Sequence, residues 1–141
     1  MSSSEHRFVK FMVKFREKTE CRNCPHFVNF NREPVTFSLK FMDQGKYGVS
    51  SCEHEDMEAF LRTMHKLSQL TWEKVISTNR HKLGCEYIEQ KSIHASMPSC
   101  ITPDIRLMAF RFSGMKPMVG FRIRDTFYVV WLDRDFSLYK H

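Results

Sequence analysis

Arginine side chains recur at short intervals in the last third of this sequence, in segments that alternate between polar and apolar residues. Arg106 and Arg111 lie in one such segment, and Arg122 and Arg124 lie in the next. Guanidinium groups bind phosphate bidentately and stabilise negative charge that develops on phosphorus during phosphoryl chemistry. The pattern therefore predicts a phosphate-binding surface. The alternative is a solvated sheet face whose arginines pair with nearby acids, namely Asp125, Asp133 and Asp135.

The sequence ends on Tyr139, Lys140 and His141. Tyrosine and histidine can both take part in proton transfer, and histidine titrates near neutral pH. With the arginines, these groups have the chemistry to bind a phosphodiester and move its protons. The alternative is a frayed tail without a role.

A second group of residues has metal-ligating chemistry. Cys21 and Cys24 have the two-residue spacing that is common in zinc knuckles, and Cys52 and His54 follow about thirty residues later. The four side chains would complete a tetrahedral structural zinc site. Because a Cys-x-His pair is not a standard half-site, idle thiols remain the alternative interpretation.

Composition limits the partners and the compartment. The chain has 141 residues, a formal charge of +6 and a pI near 9.2, which favours anionic partners such as nucleic acid. No segment reaches the roughly 18 consecutive apolar residues of a membrane span, and basic residues interrupt any signal-like apolar core near the start. Five cysteines, an odd number, fit a reducing compartment. We expect a cytoplasmic protein with no membrane contact.

Three consecutive strands must position the arginines and the final residues. Residues 105–112, 118–124 and 127–132 read as strands separated by tight turns, which pair antiparallel. Alternation places Val119, Phe121 and Ile123 on one face of the middle strand. Gly120, Arg122 and Arg124 fall on the other, which we expect to be open, with Gly120 allowing a ligand's backbone to approach closely. Phe136 and Leu138 would hold a final edge strand.

Upstream, the pattern predicts a strand over 36–42 and two helices. An apolar stripe containing Met57, Phe60 and Leu67 marks the first helix. Ser50 or Ser51 would cap its start, and Ser50 with Glu53 has capping-box spacing. Thr71 reads as the N-cap of a second, short helix. Residues 87–88 are a candidate short strand. Residues 8–15 fit a helix or a strand equally well.

The predicted fold class is α+β, an antiparallel sheet with two helices packed on one face. Residues 35–141 would form this domain, and residues 1–34 an N-terminal extension whose packing on the core is left open. Both faces of 127–132 are apolar, so we expect the helices to bury one of them.

The chain resembles the RelE/ParE superfamily of toxins from type II toxin–antitoxin systems, and within it the RelE, YoeB and HigB ribonuclease branch. The resemblance covers residues 35–141. It rests on the order of elements and on the segments Arg106-Leu-Met-Ala-Phe-Arg111, Gly120-Phe-Arg-Ile-Arg124 and Tyr139-Lys-His141. It implies a RelE-like fold and an endoribonuclease that cuts ribosome-bound messenger RNA. The 2′-hydroxyl would attack the phosphate without a metal cofactor, and an antitoxin protein would hold the enzyme inactive.

Carried over by position, the resemblance makes Arg111 and Arg122 the phosphate clamps and Tyr139 or His141 the acid or base. Some relatives use a glutamate base, a role open to Glu86 or Glu89 here. Further RNA contacts would come from basic side chains outside this set, namely Arg106, Arg124, Arg80, His81, Lys82 and Lys140.

Two other functions stay open. The same scaffold can serve as a non-catalytic module of a phage or mobile element that binds a protein or RNA through its basic sheet face. A zinc-stabilised structural protein is the third possibility.

Overall fold

The computed structural model describes residues 29–78 and 84–141. The N-terminal segment 1–28, including residues 8–15, and the loop 79–83 lie outside the described residues. These two described parts contain five strands: β1 Thr36–Ser38, β2 Cys85–Ile88, β3 Leu107–Ser113, β4 Lys116–Ile123 and β5 Thr126–Leu132. The α-helices in the described parts are α1 His54–Ser68 and α2 Trp72–Ser77. The predicted α+β class is confirmed.

The strands form one sheet in the order β1-β5-β4-β3-β2. The antiparallel pairing predicted for the last three strands is confirmed, and β2 adds antiparallel to β3. The prediction of a wholly antiparallel sheet is wrong, because β1 pairs parallel to β5. Both helices and three strands lie between β1 and β5 in the chain, and this long connection lets β1 enter the sheet in the parallel sense.

Apolar side chains cover both faces of the sheet. On one face, Phe60 of α1 and Trp72 of α2 pack against Phe110 and Phe127. On the other, the connection between β2 and β3 and the segment after β5 cover a second core. The face of β4 that carries Arg122 was expected to be open, but the helices cover it, since Arg122 lies over Trp72. The opposite face is covered too, because its side chains from β4 and β5 are buried in the second core, namely Phe121, Ile123, Tyr128 and Val130.

The helix starts differ from the capping-box prediction in one case. Glu53 is the N-cap of α1, without a side-chain cap bond, and a short 3₁₀ turn over Val49–Ser51 precedes it. Ser50 and Ser51 both lie within that turn, so neither caps the helix. The predicted cap of α2 is confirmed, since the Thr71 hydroxyl accepts a hydrogen bond from the backbone N–H of Lys74.

Two predicted strands are shortened or replaced by turns. The segment 36–42 is extended only over β1, because the backbone N–H of Met42 donates to the carbonyl oxygen of Leu39 and closes a turn. After β5 the chain turns rather than forming an edge strand. Leu138 is fully buried, while Phe136 is exposed and adopts φ 60°.

Gly120 allows a close backbone contact, but the contact is with Tyr128 of β5 and not with a ligand. The register of β4 and β5 shifts between Val119 and Gly120. A Cβ atom at Gly120 would lie 1.8 Å from the carbonyl oxygen of Tyr128, so only glycine fits at this position. The expected approach of a ligand at Gly120 is therefore wrong.

Candidate active site

The pairing of β2 with β3 brings a carboxylate next to an arginine. Glu86 lies opposite Ala109, and Arg111 is two residues further along β3, on the same face. Arg111 Nη2 donates to Glu86 Oε1 over 3.1 Å, and Nη1 donates to the carbonyl oxygen of Met115 over 3.2 Å. Two fixed hydrogen bonds hold the guanidinium in one orientation beside the carboxylate.

Tyr139 completes a cluster on the same carboxylate oxygen. Its hydroxyl donates to Glu86 Oε1 over 3.2 Å. Burial raises the pKa of Tyr139 well above its ordinary value, and the negative charge of Glu86 raises it further. Tyr139 therefore remains protonated near neutral pH and acts as a hydrogen-bond donor to Glu86.

A buried aspartate shapes the segment that carries Tyr139. Asp133 Oδ1 accepts hydrogen bonds from the backbone N–H groups of Ser137 and Leu138, at 3.0 and 3.2 Å. Its second oxygen, Oδ2, lies 3.1 Å from His141 Nε2. The His141 ring packs on the Tyr139 ring, with centroids 4.2 Å apart. Asp133 thus fixes the turn after β5 and orients His141 beside the cluster.

These groups line an accessible groove of about 380 Å³ at the β2 edge of the sheet. The side chains of Glu86, Arg111 and His141 keep 21%, 14% and 25% of their surface exposed. Lys140 and Glu89 also line the groove. The charged groups are partly shielded from water yet reachable, which is the environment in which electrostatic and proton-transfer groups act most strongly.

The groove combines the three chemical functions that cleavage of an RNA phosphodiester needs. Glu86 is an acceptor for a proton, Arg111 is a fixed positive charge, and His141 is an imidazole held by a carboxylate. An imidazole oriented by a carboxylate is a recurrent arrangement for proton transfer. The three side chains come from β2, β3 and the segment after β5, so only the folded chain assembles them.

Arg122 and Arg124 are not in this groove. Alternation along β4 separates them from Phe121 as predicted, but their face is the helix face. The Arg122 guanidinium lies 4.1 Å from the Trp72 ring centroid and donates to Asn31 Oδ1 over 2.8 Å. Arg124 lies over the Phe30 ring. Arg111 and Arg122 occupy opposite faces of the sheet, so the prediction that they clamp one phosphate together is wrong.

The other predicted RNA contacts are dispersed. Lys140 lines the groove beside His141, and Arg106 stacks on the Tyr87 ring at the neighbouring edge. The basic loop residues Arg80, His81 and Lys82 lie outside the described residues.

Half of the predicted zinc site also lies outside the described residues, since Cys21 and Cys24 precede residue 29. Cys52 is half-buried next to the Gly48 carbonyl, and burial raises the pKa of its thiol. Within residues 29–78 and 84–141, no three His, Cys, Asp or Glu side chains form a group that could hold a metal ion. The zinc site remains a prediction.

The resemblance to RelE toxins offered Glu86 only as one of two possible bases, and the sequence treated Asp133 as an arginine partner. Glu86 directly precedes the short strand predicted at 87–88, but the register of β2 against β3 is what brings it to Arg111. Asp133 is buried and accepts hydrogen bonds from backbone N–H groups. This role is typical of an aspartate that directly follows an apolar strand and begins a turn.

No protein-family model, no curated protein and no solved structure matches this chain. The likeness to RelE toxins therefore remains a prediction. Across the parts of the chain that the structure describes, none of the helices combines the length and the apolar character needed to cross a membrane.

Proposed function

We propose that this chain is a RelE-like toxin of a type II toxin–antitoxin system, an endoribonuclease that cleaves ribosome-bound messenger RNA in the cytoplasm. The observation that carries the proposal is the convergence of Glu86, Arg111 and Tyr139 with His141 in one accessible groove. Three of these four residues were selected from sequence for this chemistry. No metal is part of the proposed reaction.

In the proposed reaction the 2′-oxygen of a ribose attacks the adjacent phosphorus. Glu86 accepts the 2′-hydroxyl proton as the O2′–P bond forms, and Arg111 stabilises the charge on the phosphorane. His141 in its protonated form donates a proton to the departing 5′-oxygen as the P–O5′ bond breaks. The products are a 2′,3′-cyclic phosphate and a free 5′-hydroxyl.

Tyr139 has a positioning role in this proposal. Its raised pKa keeps the phenol protonated, so it cannot serve as the base. Its hydrogen bond holds Glu86 Oε1, and its ring supports His141. The acid or base role considered for Tyr139 thereby passes to Glu86 and His141.

The net charge of the chain suits an RNA substrate. A formal charge of +6 attracts a polyanion to the whole surface, and Lys140 lies in the groove itself. An antitoxin protein would keep such an enzyme inactive by covering the groove, and acidic side chains are the complement to its cations.

One observation favours a non-catalytic binding module. Arg111 is already paired with Glu86 in the free protein, at 3.1 Å and with both side chains mostly buried. An ion pair of this kind can be structural, and the groove would then bind RNA or a protein without cutting.

Inducible expression in a bacterial host, with growth and messenger RNA integrity followed together, tests the proposal. We expect rapid growth arrest with cut messages that end in cyclic phosphates. Glu86→Gln keeps the shape of the side chain and its hydrogen-bond acceptor but is a poor base, so cleavage should fall at least about a hundredfold. Arg62→Gln, at an exposed arginine on α1, is the matched control and should cleave like wild type.

Two outcomes contradict the enzyme proposal. Intact messages under wild-type expression would support the binding module. Full cleavage by a folded Glu86→Gln variant would remove the groove as the site of chemistry.

A further inference from the structure

A second cleft lies at the same edge of the sheet, next to the groove. β2 is the last strand in the sheet order. Glu86 faces Ala109 of one core, whereas Tyr87 faces Met108 of the other, so their side chains leave β2 on opposite faces. The second cleft has a volume of about 740 Å³ and shares Tyr87, Ile88 and Glu89 with the groove. The two concavities are thus neighbours along β2, and the Tyr87 side chain leaves this strand on the face opposite to Glu86.

The second cleft displays a stacked pair of planar side chains. The Arg106 guanidinium carbon lies 3.4 Å from the Tyr87 ring centroid. Tyr87 is 45% exposed, whereas the other three tyrosines of the chain are buried. An arginine–aromatic stack at an exposed site stabilises the fold only weakly. The exposure of Tyr87 leaves part of its ring at the surface, where a further planar group can stack.

The lining of the second cleft suits a neutral planar group better than a phosphate. Ile88, Pro103 and Ile105 supply apolar walls. The charged side chains balance, two acidic and two basic, namely Glu89, Asp104, Lys91 and Arg106. A volume of this size is typical of small-ligand sites. A nucleobase, which is flat and uncharged, matches both the walls and the stack.

We propose that Tyr87 and Arg106 form a base-stacking subsite for single-stranded RNA, occupied by a nucleotide next to the one whose phosphate lies in the groove. The RNA chain crosses the β2 edge, with its backbone at Arg111 and a neighbouring base on the Tyr87–Arg106 stack. Stacking on aromatic rings and guanidinium planes is the general means by which proteins hold splayed single-stranded bases. The proposal deepens the proposed function and rests on it for the position of the phosphate, but not for the stacking itself.

Binding of uncleavable RNA tests the subsite without depending on catalysis. The probes are fully 2′-O-methylated single strands of one base type, each with a single 2-aminopurine whose fluorescence falls on stacking. We expect Tyr87→Ala to bind about tenfold more weakly, within the range for the loss of one base stack, and to lose the fluorescence quench. Tyr87→Phe keeps the ring and should behave like wild type.

Two further variants guard against a folding artefact. Tyr87→Leu keeps apolar bulk on β2 but has no aromatic plane, so it should lose affinity and quench as the alanine variant does. Leu61→Ala removes an exposed apolar side chain from α1, away from the cleft, and should bind like wild type. Melting curves identify any variant that fails to fold.

The outcomes separate the subsite from the enzyme. Equal affinity and quench in wild type and folded Tyr87→Leu would overturn the subsite, even if Glu86-dependent cleavage is found. Failure of wild type to bind any probe would overturn it too. Tyr87-dependent binding with no RNA cleavage would uphold the subsite and remove the proposed function.

Discussion

The hydroxyl of Tyr139 donates to Glu86 Oε1 over 3.2 Å, joining the segment after β5 to the edge strand β2. The two residues are distant in sequence, and the contact closes one side of the groove. In this hydrogen bond the proton stays on Tyr139, because burial and the negative charge of Glu86 both raise the pKa of the tyrosine.

Replacing Tyr139 with phenylalanine tests this assignment. The ring packing on His141 is kept, but Glu86 loses the hydrogen bond from the phenol. We expect cleavage to fall about tenfold and the free energy of unfolding to fall by about 1 kcal/mol. RNA cleavage and urea denaturation measure the two effects. Loss of all cleavage with unchanged stability would instead make Tyr139 the proton carrier.

The contribution of Tyr139 to the free energy of unfolding should decrease in alkaline solution. Its folded-state pKa lies above the ordinary value of 10.0, so the folded state holds the proton more tightly than the unfolded state. The stabilisation is fully present below pH 10 and is lost as pH rises above it. The stability difference between wild type and Tyr139→Phe should therefore shrink in alkaline solution. A difference that grows above pH 10 would contradict the assignment.

Asp133 is expected to act as a positioning residue for His141. Asp133→Asn keeps an acceptor for the N–H groups of Ser137 and Leu138 but removes the charge beside the imidazole. We expect a loss of about 1–3 kcal/mol in the free energy of unfolding, because a buried charge-assisted network is weakened. The kcat of cleavage should also fall while KM changes little, because His141 loses the carboxylate that orients its ring beside the cluster. An unchanged kcat in the folded variant would leave Asp133 with a structural role alone.

Arg122 is expected to matter for stability and not for the groove. Arg122→Ala removes the stack on Trp72 and the hydrogen bonds to Asn31 and the Arg124 carbonyl. We expect a loss of about 1–2 kcal/mol, measured by thermal or urea unfolding. Messenger RNA cleavage at a temperature where the variant is folded should persist. Abolished cleavage in a fully stable variant would return Arg122 to the catalytic set.

The environment of Asp56 leads us to expect that the free energy of unfolding falls in acid. The hydrogen bond from Lys116 lowers the pKa of this buried carboxyl on α1, and Ser113 adds a second bond to the same oxygen. The ionised Asp56 stabilises the fold at a pH above 3.8, the ordinary pKa of an aspartate. This stabilisation is lost as the pH falls through the lower pKa of the folded state.

Lys116→Met removes this partner and should cost about 2 kcal/mol near neutral pH. Its stability should then depend less on pH below 4 than that of wild type. Urea denaturation over pH 2–7 checks both statements. If the variant loses as much stability between pH 4 and pH 2 as wild type does, Lys116 does not hold Asp56 ionised.

Alternation predicted which residues share a face, but not what covers that face. The strands β3 to β5 follow from apolar runs and tight turns. The opposite placement of Phe121 and Arg122 follows from period two. Which of them meets the helices depends on where α2 packs, and Trp72 packs on the Arg122 side. Only three-dimensional packing decides this.

The sequence indicated only some of the residues that line the groove, for a similar reason. Arg111, Tyr139 and His141 were named from their chemistry, and the fold brings them together. The contact of Glu86 with Arg111 depends on the β2–β3 register, which follows a long connection without regular strand signals. The bulge at Val119 and Gly120 likewise has no signal beyond the glycine itself.

The groove is built from the edge strand β2 and the turn that Asp133 holds, and both lie at the periphery of the sheet. Peripheral elements open more readily than the central strands, at a free energy below that of global unfolding. The chain can therefore lose its assembled groove while β3, β4 and β5 stay intact. Amide exchange at Ser137 and Leu138 would then report a partly opened form that is folded but has no site.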